Sequence, residues 1–325
     1  MNNSLNNDVL NSVISSVSAN CEMISVVIPT YNNAKSVVAA IQSVQAQDCP
    51  VAEIIVVDDG SEDNTREVLD VYIKANIIRY IHQNNSGVSS ARNTGIKKSI
   101  GDWIAFLDAD DEWLPGKLKQ QISIIKNNDI VWCCGCIKTS IHDKSSDCPK
   151  KLHSRIINIF EGYSMGLPFQ TGAFLIRKEV ILSVGLFKED VKISEDRDLW
   201  WRIGMVHPNI GYVDTPIVYY NNDSEFSLTR SSQDRNDSVI ILTDFLKTMH
   251  ENPRIIPQSA KTYFQKLAFG YFVRARTNLI KVDRNIILEL KGAIGITKSQ
   301  KAFIKLLNIT PSIIRKRIVN FFINV

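Results

Sequence analysis

Between residues 24 and 125 short apolar runs alternate with amphipathic stretches, and no other feature constrains the fold as tightly. "ISVVI" (24–28) reads as a strand, stopped by Pro29. In "AKSVVAAIQSVQAQ" Val37, Ile41 and Val44 recur at i, i+4 and i+7, the spacing of one helix face. "EIIVV" (53–57) is a second strand. Ser61 can cap the helix after it, with Glu62 and Asp63 in its first turn and Val68, Leu69 and Tyr72 inward. "IIRYI" (77–81) and "WIAFL" (103–107) are further strands, separated by a helix over Gly87 to Ser99. Pro115 opens another helix, with Leu118, Ile122 and Ile125 inward. Such alternation implies an α/β fold, a largely parallel sheet with helices on both faces.

Beyond about residue 130 the pattern loosens. "VWCCGCIK" and "GAFLIRK" (172–178) read as strands, "EDRDLWWRIGMV" (195–206) as a short amphipathic helix, and "IVYY" (217–220) as another strand. From about 231 the chain turns mostly helical. The expected organisation is a loose Asn- and Ser-rich leader (1–21), a main domain (22–230) and a helical C-terminal region (231–325). The leader lacks the basic start and apolar core of a secretory signal. No apolar run reaches the roughly 18 residues of a membrane span. A net charge of +4 is too small to point to nucleic acid. The six cysteines fit no common zinc spacing and read as reduced, apolar fillers.

In parallel sheets ligands bind at the carboxyl ends of the strands. Three polar clusters converge there: Thr30, Tyr31 and Asn32 after the first strand, Asp58 and Asp59 after the second, Asp108 and Asp110 after the fourth. Four acids within "DADDE" repel one another unless something positive joins them. In an extended segment Asp108 and Asp110 point the same way, and hard divalent cations such as Mn²⁺ or Mg²⁺ favour oxygen ligands. Read singly, these acids are also ordinary turn and cap residues. Arg92, in "NNSGVSSARNTGI", lies between two strands of the same edge, where it can meet a base, a phosphate or an Asp. Glu195 and Asp196 open a helix, where the dipole favours ionised carboxylates; a carboxylate beside an acceptor hydroxyl is a general base.

"SVVIPTYNN", "EIIVVDDGSEDNT", "NSGVSSARNTGI", "WIAFLDADDEW", "TGAFLIRKEV" with "VGLFKED", and "SEDRDLWWRI" together resemble family 2 glycosyltransferases in order and spacing, over roughly residues 22–225. The resemblance implies a GT-A fold, a Rossmann-like mixed sheet flanked by helices. It also implies an inverting transfer of one sugar from a nucleotide-diphosphate donor, with Mn²⁺ or Mg²⁺ as cofactor. On that basis Pro29, Thr30 and Tyr31 line the base pocket, and Asp58 or Asp59 holds the base, usually uracil, with Arg92 beside it. Asp108 faces the ribose or donor sugar and Asp110 binds the metal. Asp196, after Glu195, is the base, and Trp200 and Trp201 lie near the acceptor, where a sugar can stack. Many members carry Tyr-Arg-x-His after the last strand; here "YNND" stands there, and Asp223 takes the place of the His as a candidate metal ligand. The Gln-x-x-Arg-Trp motif of processive synthases is missing, so one sugar per encounter is expected.

Residues 291–325 hold seven Lys or Arg and no Asp or Glu, spaced by Ile, Leu and Phe. A basic, apolar-faced helix of this kind can lie on an anionic membrane or pack back on the domain. With the resemblance, it points to a lipid-linked glycan acceptor at the cytoplasmic face of the membrane, in bacterial O-antigen or capsule assembly. The competing reading is a non-catalytic nucleotide-sugar-binding scaffold. An oxidoreductase is excluded, because "PTYNN" stands where a G-x-G-x-x-G would follow the first strand.

Overall fold

The computed structural model describes residues 22–139, 152, 155–221, 235–252, 254–276, 280–294 and 300. The expected leader, Asp223, the division near residue 230 and nearly all of the basic tail lie outside them.

The first half builds as its pattern requires. β1 (Ile24–Thr30), β2 (Glu53–Asp58), β3 (Arg79–His82) and β4 (Trp103–Phe106) run parallel. Between them come α1 (Val37–Gln45), α2 (Thr65–Lys74) and α3 (Val88–Lys98). β1 is buried along its whole length, as a central strand covered on both faces must be. It also runs through Pro29 instead of stopping there, with Pro29 opposite Val57. Odd residues of β1 bond towards β4 (Trp103 N to Met23 O, Leu107 N to Val27 O) and even ones towards β2 (Ala52 N to Ile24 O). Pairing with β4 ends at Val27, so the N–H that Pro29 lacks had no ladder partner to lose. α2 starts at Thr65, four residues after the expected cap. Ser61 is used elsewhere, its hydroxyl accepting from Asn32 N. α3 packs so close to β1 that a Cβ on Gly95 would lie 2.4 Å from Val27.

The second half is not parallel throughout. β5 (Glu112–Trp113) leads to α4 (Lys117–Asn128), β6 (Trp132–Lys138), β7 (Ile156–Asn158), α5 (Ile159–Ser164) and a 3-10 turn (Thr171–Ala173). β8 (Leu175–Arg177), α6 (Lys178–Val184), α7 (Glu195–Val206) and β9 (Asn209–Tyr219) follow. Among the described residues the sheet has nine strands in the order β3-β2-β1-β4-β8-β6-β9-β5, with β7 on β9. β8 is antiparallel to β4 and β6, and β9 is parallel to β6 but antiparallel to β5 and β7. α8 (Asn236–Glu251), α9 (Gln258–Arg276) and α10 (Arg284–Ile294) share one core with the sheet layer. Phe245 of α8 and Phe264 of α9 pack on Phe160 of α5 at ring distances of 5.4 and 6.1 Å. Among the described residues no helix is long and apolar enough to cross a membrane.

Cys133 and Cys134 are unbridged and buried, as expected; burial pushes the Cys133 thiol up to about 12 and raises the Cys134 thiol well above its usual value, so both stay protonated. Cys136 departs from the expectation: it is disulfide-bonded. It sits near the end of β6, where the chain leaves the sheet.

Candidate active site

The carboxyl ends of β1 and β2 form one wall. Asp59 N donates to Thr30 O (2.9 Å), which locks the two ends together. Asn32, at φ +52, receives Glu62 N on its side-chain oxygen (2.8 Å), so the turn after β1 and the loop after β2 are one unit. Pro29 and Thr30 are buried and Tyr31 is exposed. Both acids of the Asp58-Asp59 pair are buried and engaged. Asp58 accepts from Ser61 N (2.8 Å) and the Tyr80 hydroxyl (2.6 Å). Asp59 accepts from Gln83 Nε2 (2.7 Å), Ser86 N (3.0 Å) and Gly87 N (2.8 Å). It thereby fixes the entry to α3, where Gly87 takes φ +91, a conformation that favours glycine. Of the two carboxylates, Asp58 keeps more acceptor capacity for an incoming group.

α3 carries the connecting cation. Arg92 is buried and bonds Asp108 (2.8 Å) through one terminal nitrogen and Glu195 (3.0 Å) through the other. Of the three partners open to it from sequence, it takes the acids. Burial works against its charge, but Asp108 and Glu195 more than offset that and hold it protonated. Three buried polar atoms of this edge lack a protein partner: Thr30 Oγ1, Ser89 Oγ and Arg92 Nε. Such atoms are costly unless a ligand or water meets them.

The acidic stretch is a turn, not the extended segment expected. β4 ends at Phe106, and Asp111 N donates to Asp108 O (3.1 Å). The turn spreads the charges: Asp108 meets Arg92, while Asp111 points inward and accepts from Asn221 N (2.9 Å) just beyond β9. Burial, then the charges of Asp108 and Asp110, push Asp111 up to about 8. Among the described residues no three His, Cys, Asp or Glu are grouped to hold a metal by themselves. A magnesium-type ion normally takes only one or two protein carboxylates, with phosphate and water completing its shell. The oxygens of Asp108 and Asp110 fit that kind of site, in which the ion is shared with a diphosphate.

Opposite lies the N-terminus of α7. Glu195 and Asp196 are its first residues, after Ser194 at φ +69. Burial and then Asp196 raise Glu195 above the ordinary range, with Arg92 opposing. Asp196 accepts from Arg197 N (2.6 Å). Arg92, Asp108 and Glu195 thus form one ion-paired group, and Asp196 lies near enough to act on the Arg92 charge.

Residues 25–188 match the family model described as glycosyl transferase family 2, half of the chain. The chain belongs to glycosyl transferase family 2. It is 33% identical over 195 residues to the uncharacterized glycosyltransferase RC0461 of Rickettsia conorii (59% of this chain, 31% of that protein). It spans 31%, 40% and 58% of the lengths of three such rickettsial relatives. A second relative is the Escherichia coli enzyme named UDP-Glc:alpha-D-GlcNAc-diphosphoundecaprenol beta-1,3-glucosyltransferase WfgD, 37% identical over 113 residues (35% of this chain, 45% of that one). Among solved structures, S. aureus TarS 1-349 in complex with UDP-GlcNAc superposes with a TM-score of 0.63 at 18% identity, over 84% of this chain and 80% of that one. That likeness establishes the shared GT-A fold.

Two expectations for this family 2 chain need correcting. Trp200 and Trp201 offer no ring face to a sugar. Trp200 is fully buried and stacks on Phe174 at 3.9 Å, and Trp201 is 3% exposed among Phe245, Phe264 and Tyr163. Both belong to the core that backs α7. Asp198, one turn into α7, is equally structural, pairing with Lys188 (2.8 Å) and Arg202 (2.6 Å).

Three residues escaped the sequence reading. Asp111 was one acid among four. Asn93, beside Arg92, donates to Phe187 O (2.9 Å) and Glu189 (2.9 Å) and accepts from Phe187 N (3.0 Å). Lys117 is wholly buried at the start of α4, bonded to Gln121 (2.7 Å), with its ammonium 4.2 Å from the centre of the Trp113 ring. Burial lowers it to about 7. A polar residue at an inward helix position was the available signal for Lys117.

Proposed function

We propose that this chain moves one sugar from a UDP-sugar to a hydroxyl of a glycan acceptor, inverting the anomeric centre. The carrying observation is the pair of salt bridges from Arg92 to Asp108 and to Glu195, which sets the acidic loop against the helix end bearing Asp196. A donor diphosphate and an acceptor hydroxyl would meet between these two groups.

The roles follow from the surroundings. Asp58 and the unpartnered Thr30 hydroxyl face the base and ribose, with Tyr31 at the rim. Asp108 and Asp110 would hold Mn²⁺ or Mg²⁺; when bound, that ion neutralises charge on the departing diphosphate. Asp196 accepts the proton of the acceptor hydroxyl. The hydroxyl oxygen then forms its bond to the anomeric carbon on the face opposite the breaking carbon–phosphate-oxygen bond, and the nucleoside diphosphate leaves. A single displacement of this kind inverts configuration and needs no covalent enzyme intermediate. Glu195 holds Arg92, so the cation stays between the two acids.

The UDP donor is supported by the printed names of WfgD and of the TarS complex. The WfgD name also supports a lipid-linked acceptor, which would place the chain at the cytoplasmic face of the membrane in bacterial surface polysaccharide assembly. Intact acids at 108, 110 and 196 favour an enzyme over a binding scaffold.

A donor screen tests this. Purified protein is offered UDP-, GDP- and dTDP-sugars with Mn²⁺ or EDTA, and release of nucleoside diphosphate is followed. The expected result is slow, metal-dependent release from one UDP-sugar, lost in Asp110→Ala. Neither binding nor release with any donor would overturn the reading.

A further inference from the structure

The C-terminal helices touch the chain on both sides of Asp196. Before it, the segment entering α7 bonds to the first turn of α8. Asp237 Oδ2 accepts from Lys192 N (2.8 Å) and from Ile193 N (3.3 Å). The hydroxyls of Ser194 and the buried Ser238 are 2.9 Å apart. After it, the Arg197 side chain interacts electrostatically with Tyr271 of α9 and lies 5.9 Å from the Trp201 ring centre. Trp201 in turn packs on Phe245 of α8 at 4.5 Å.

Ser194 is the strained point. It is a non-glycine residue at φ +69 and ψ 24, yet its carbonyl accepts from Asp198 N (3.0 Å) to start α7. A left-handed serine costs about 1 kcal/mol or more and persists only when its surroundings over-determine it. The bonds to Asp237 and Ser238 supply that constraint, and no residue of the sheet replaces them in these contacts. α8 is itself fixed at this end: Arg235 N donates to Lys281 O (3.1 Å), and Asn236 accepts from Asp283 N (2.8 Å) at the approach to α10.

We infer that Asp237 and Ser238 are positioning residues for the base: through the 192–194 segment they set the direction in which α7 presents Asp196. This rests on the assignment of Asp196 as base. The C-terminal helices are then part of the catalytic apparatus and more than a platform for the tail. A displacement of about 1 Å at a reacting group can cost roughly a hundredfold in rate, so a small change at Ser194 has a large readout.

The test compares wild type, Asp196→Asn, Asp237→Ala, Asp237→Asn and Ser238→Ala with the UDP-sugar found active in the donor screen. Steady-state release of UDP, UDP affinity with Mn²⁺, and hydrogen exchange over residues 190–199 are measured. Asp237→Ala should lower kcat roughly tenfold to a hundredfold, leave donor KM and UDP affinity unchanged, and speed exchange over 190–199 but not over 55–60. Asp237→Asn should stay close to wild type, because one amide oxygen replaces the one carboxylate oxygen in use. That rescue separates placement from charge. Wild-type kcat in Asp237→Ala, with Asp196→Asn inactive, overturns the inference and leaves the base assignment standing. Full turnover in Asp196→Asn instead removes the base assignment, and the inference with it. Should Asp237→Ala not fold, Ser238→Ala takes its place, and wild-type kcat there overturns the inference equally.

Discussion

The β3-β2-β1-β4 half of the sheet and the β8-β6-β9-β5 half build their sides of the site by different means. In the first half all strands point one way, and a residue placed just after a strand arrives at the ligand edge without further help. Thr30, Asp58 and Asp108 are positioned in this manner. In the second half direction reverses repeatedly, and the β6–β9 register shifts twice near Cys136. There the site depends on individual side-chain bonds: Arg92 to Glu195, Asn93 to Phe187, Asp111 to Asn221, Asp237 to Lys192. On the proposed function, topology delivers the donor side, and a few specific contacts deliver the acceptor side. Damage to the second half should therefore impair turnover while sparing nucleotide binding.

Asp196→Asn is the sharpest cut. Loss of a general base should lower transfer by about 10²–10⁴, with UDP affinity unchanged by calorimetry; weakened UDP binding would blur the division. Next comes the joint itself. Arg92→Met leaves Asp108 and Glu195 unpaired in a poorly solvated site, and chemical denaturation should show a loss of about 3–5 kcal/mol. Adding Glu195→Gln should recover part of it, whereas strict additivity would deny that the halves are coupled there.

Lys117 probes the core where α4 packs on β6. Its folded pKa is lowered to about 7, so between pH 7 and about 10 the unfolded chain holds more protons, and stability rises with pH. Below pH 7 that contribution is gone. Relative to Lys117→Met, wild type should gain at most about 4 kcal/mol from pH 7 to 10, measured by urea unfolding across that range. Equal slopes would mean that the ammonium is not desolvated. The smallest effect belongs to Trp201→Phe, which should cost about 1 kcal/mol of stability and leave acceptor KM unaltered. A raised KM would restore the aromatic to the sugar site.

The same contrast governs what could be read in advance. β1 to β4 and the helices between them were legible because period-2 and period-3.6 patterns alternate cleanly there. Asp108, Asp110, Arg92, Glu195 and Asp196 were legible as an ordered set of motifs. β5 has two residues, too short to carry a period; β8 lies inside the strand expected at 172–178 but keeps only three residues, and the antiparallel pairing of both leaves no local mark. The turn at Asp108–Asp111 stood in the sequence only as the alternative to an extended segment, because the bond from Asn221 N that anchors Asp111 comes from far away in sequence. Trp200 and Trp201 misled because a tryptophan beside an acidic pair suits a sugar platform and a hydrophobic core equally well until burial is known.

The pairing of β5 with β9 and the bond from Asn221 to Asp111 also set an order of events during folding. The acidic turn is made early in the chain, and Trp113 N reaches back to Ser43, yet Asp111 and β5 meet Asn221 and β9 only when residues roughly a hundred positions later arrive. At a synthesis rate of about 5–20 residues per second, the turn waits on the order of ten seconds for its partner. During that interval its carboxylates stay hydrated and repel one another at little cost in water. The charge crowding that the finished site must tolerate therefore arises late, when β9 joins a sheet whose parallel strands are already in the chain.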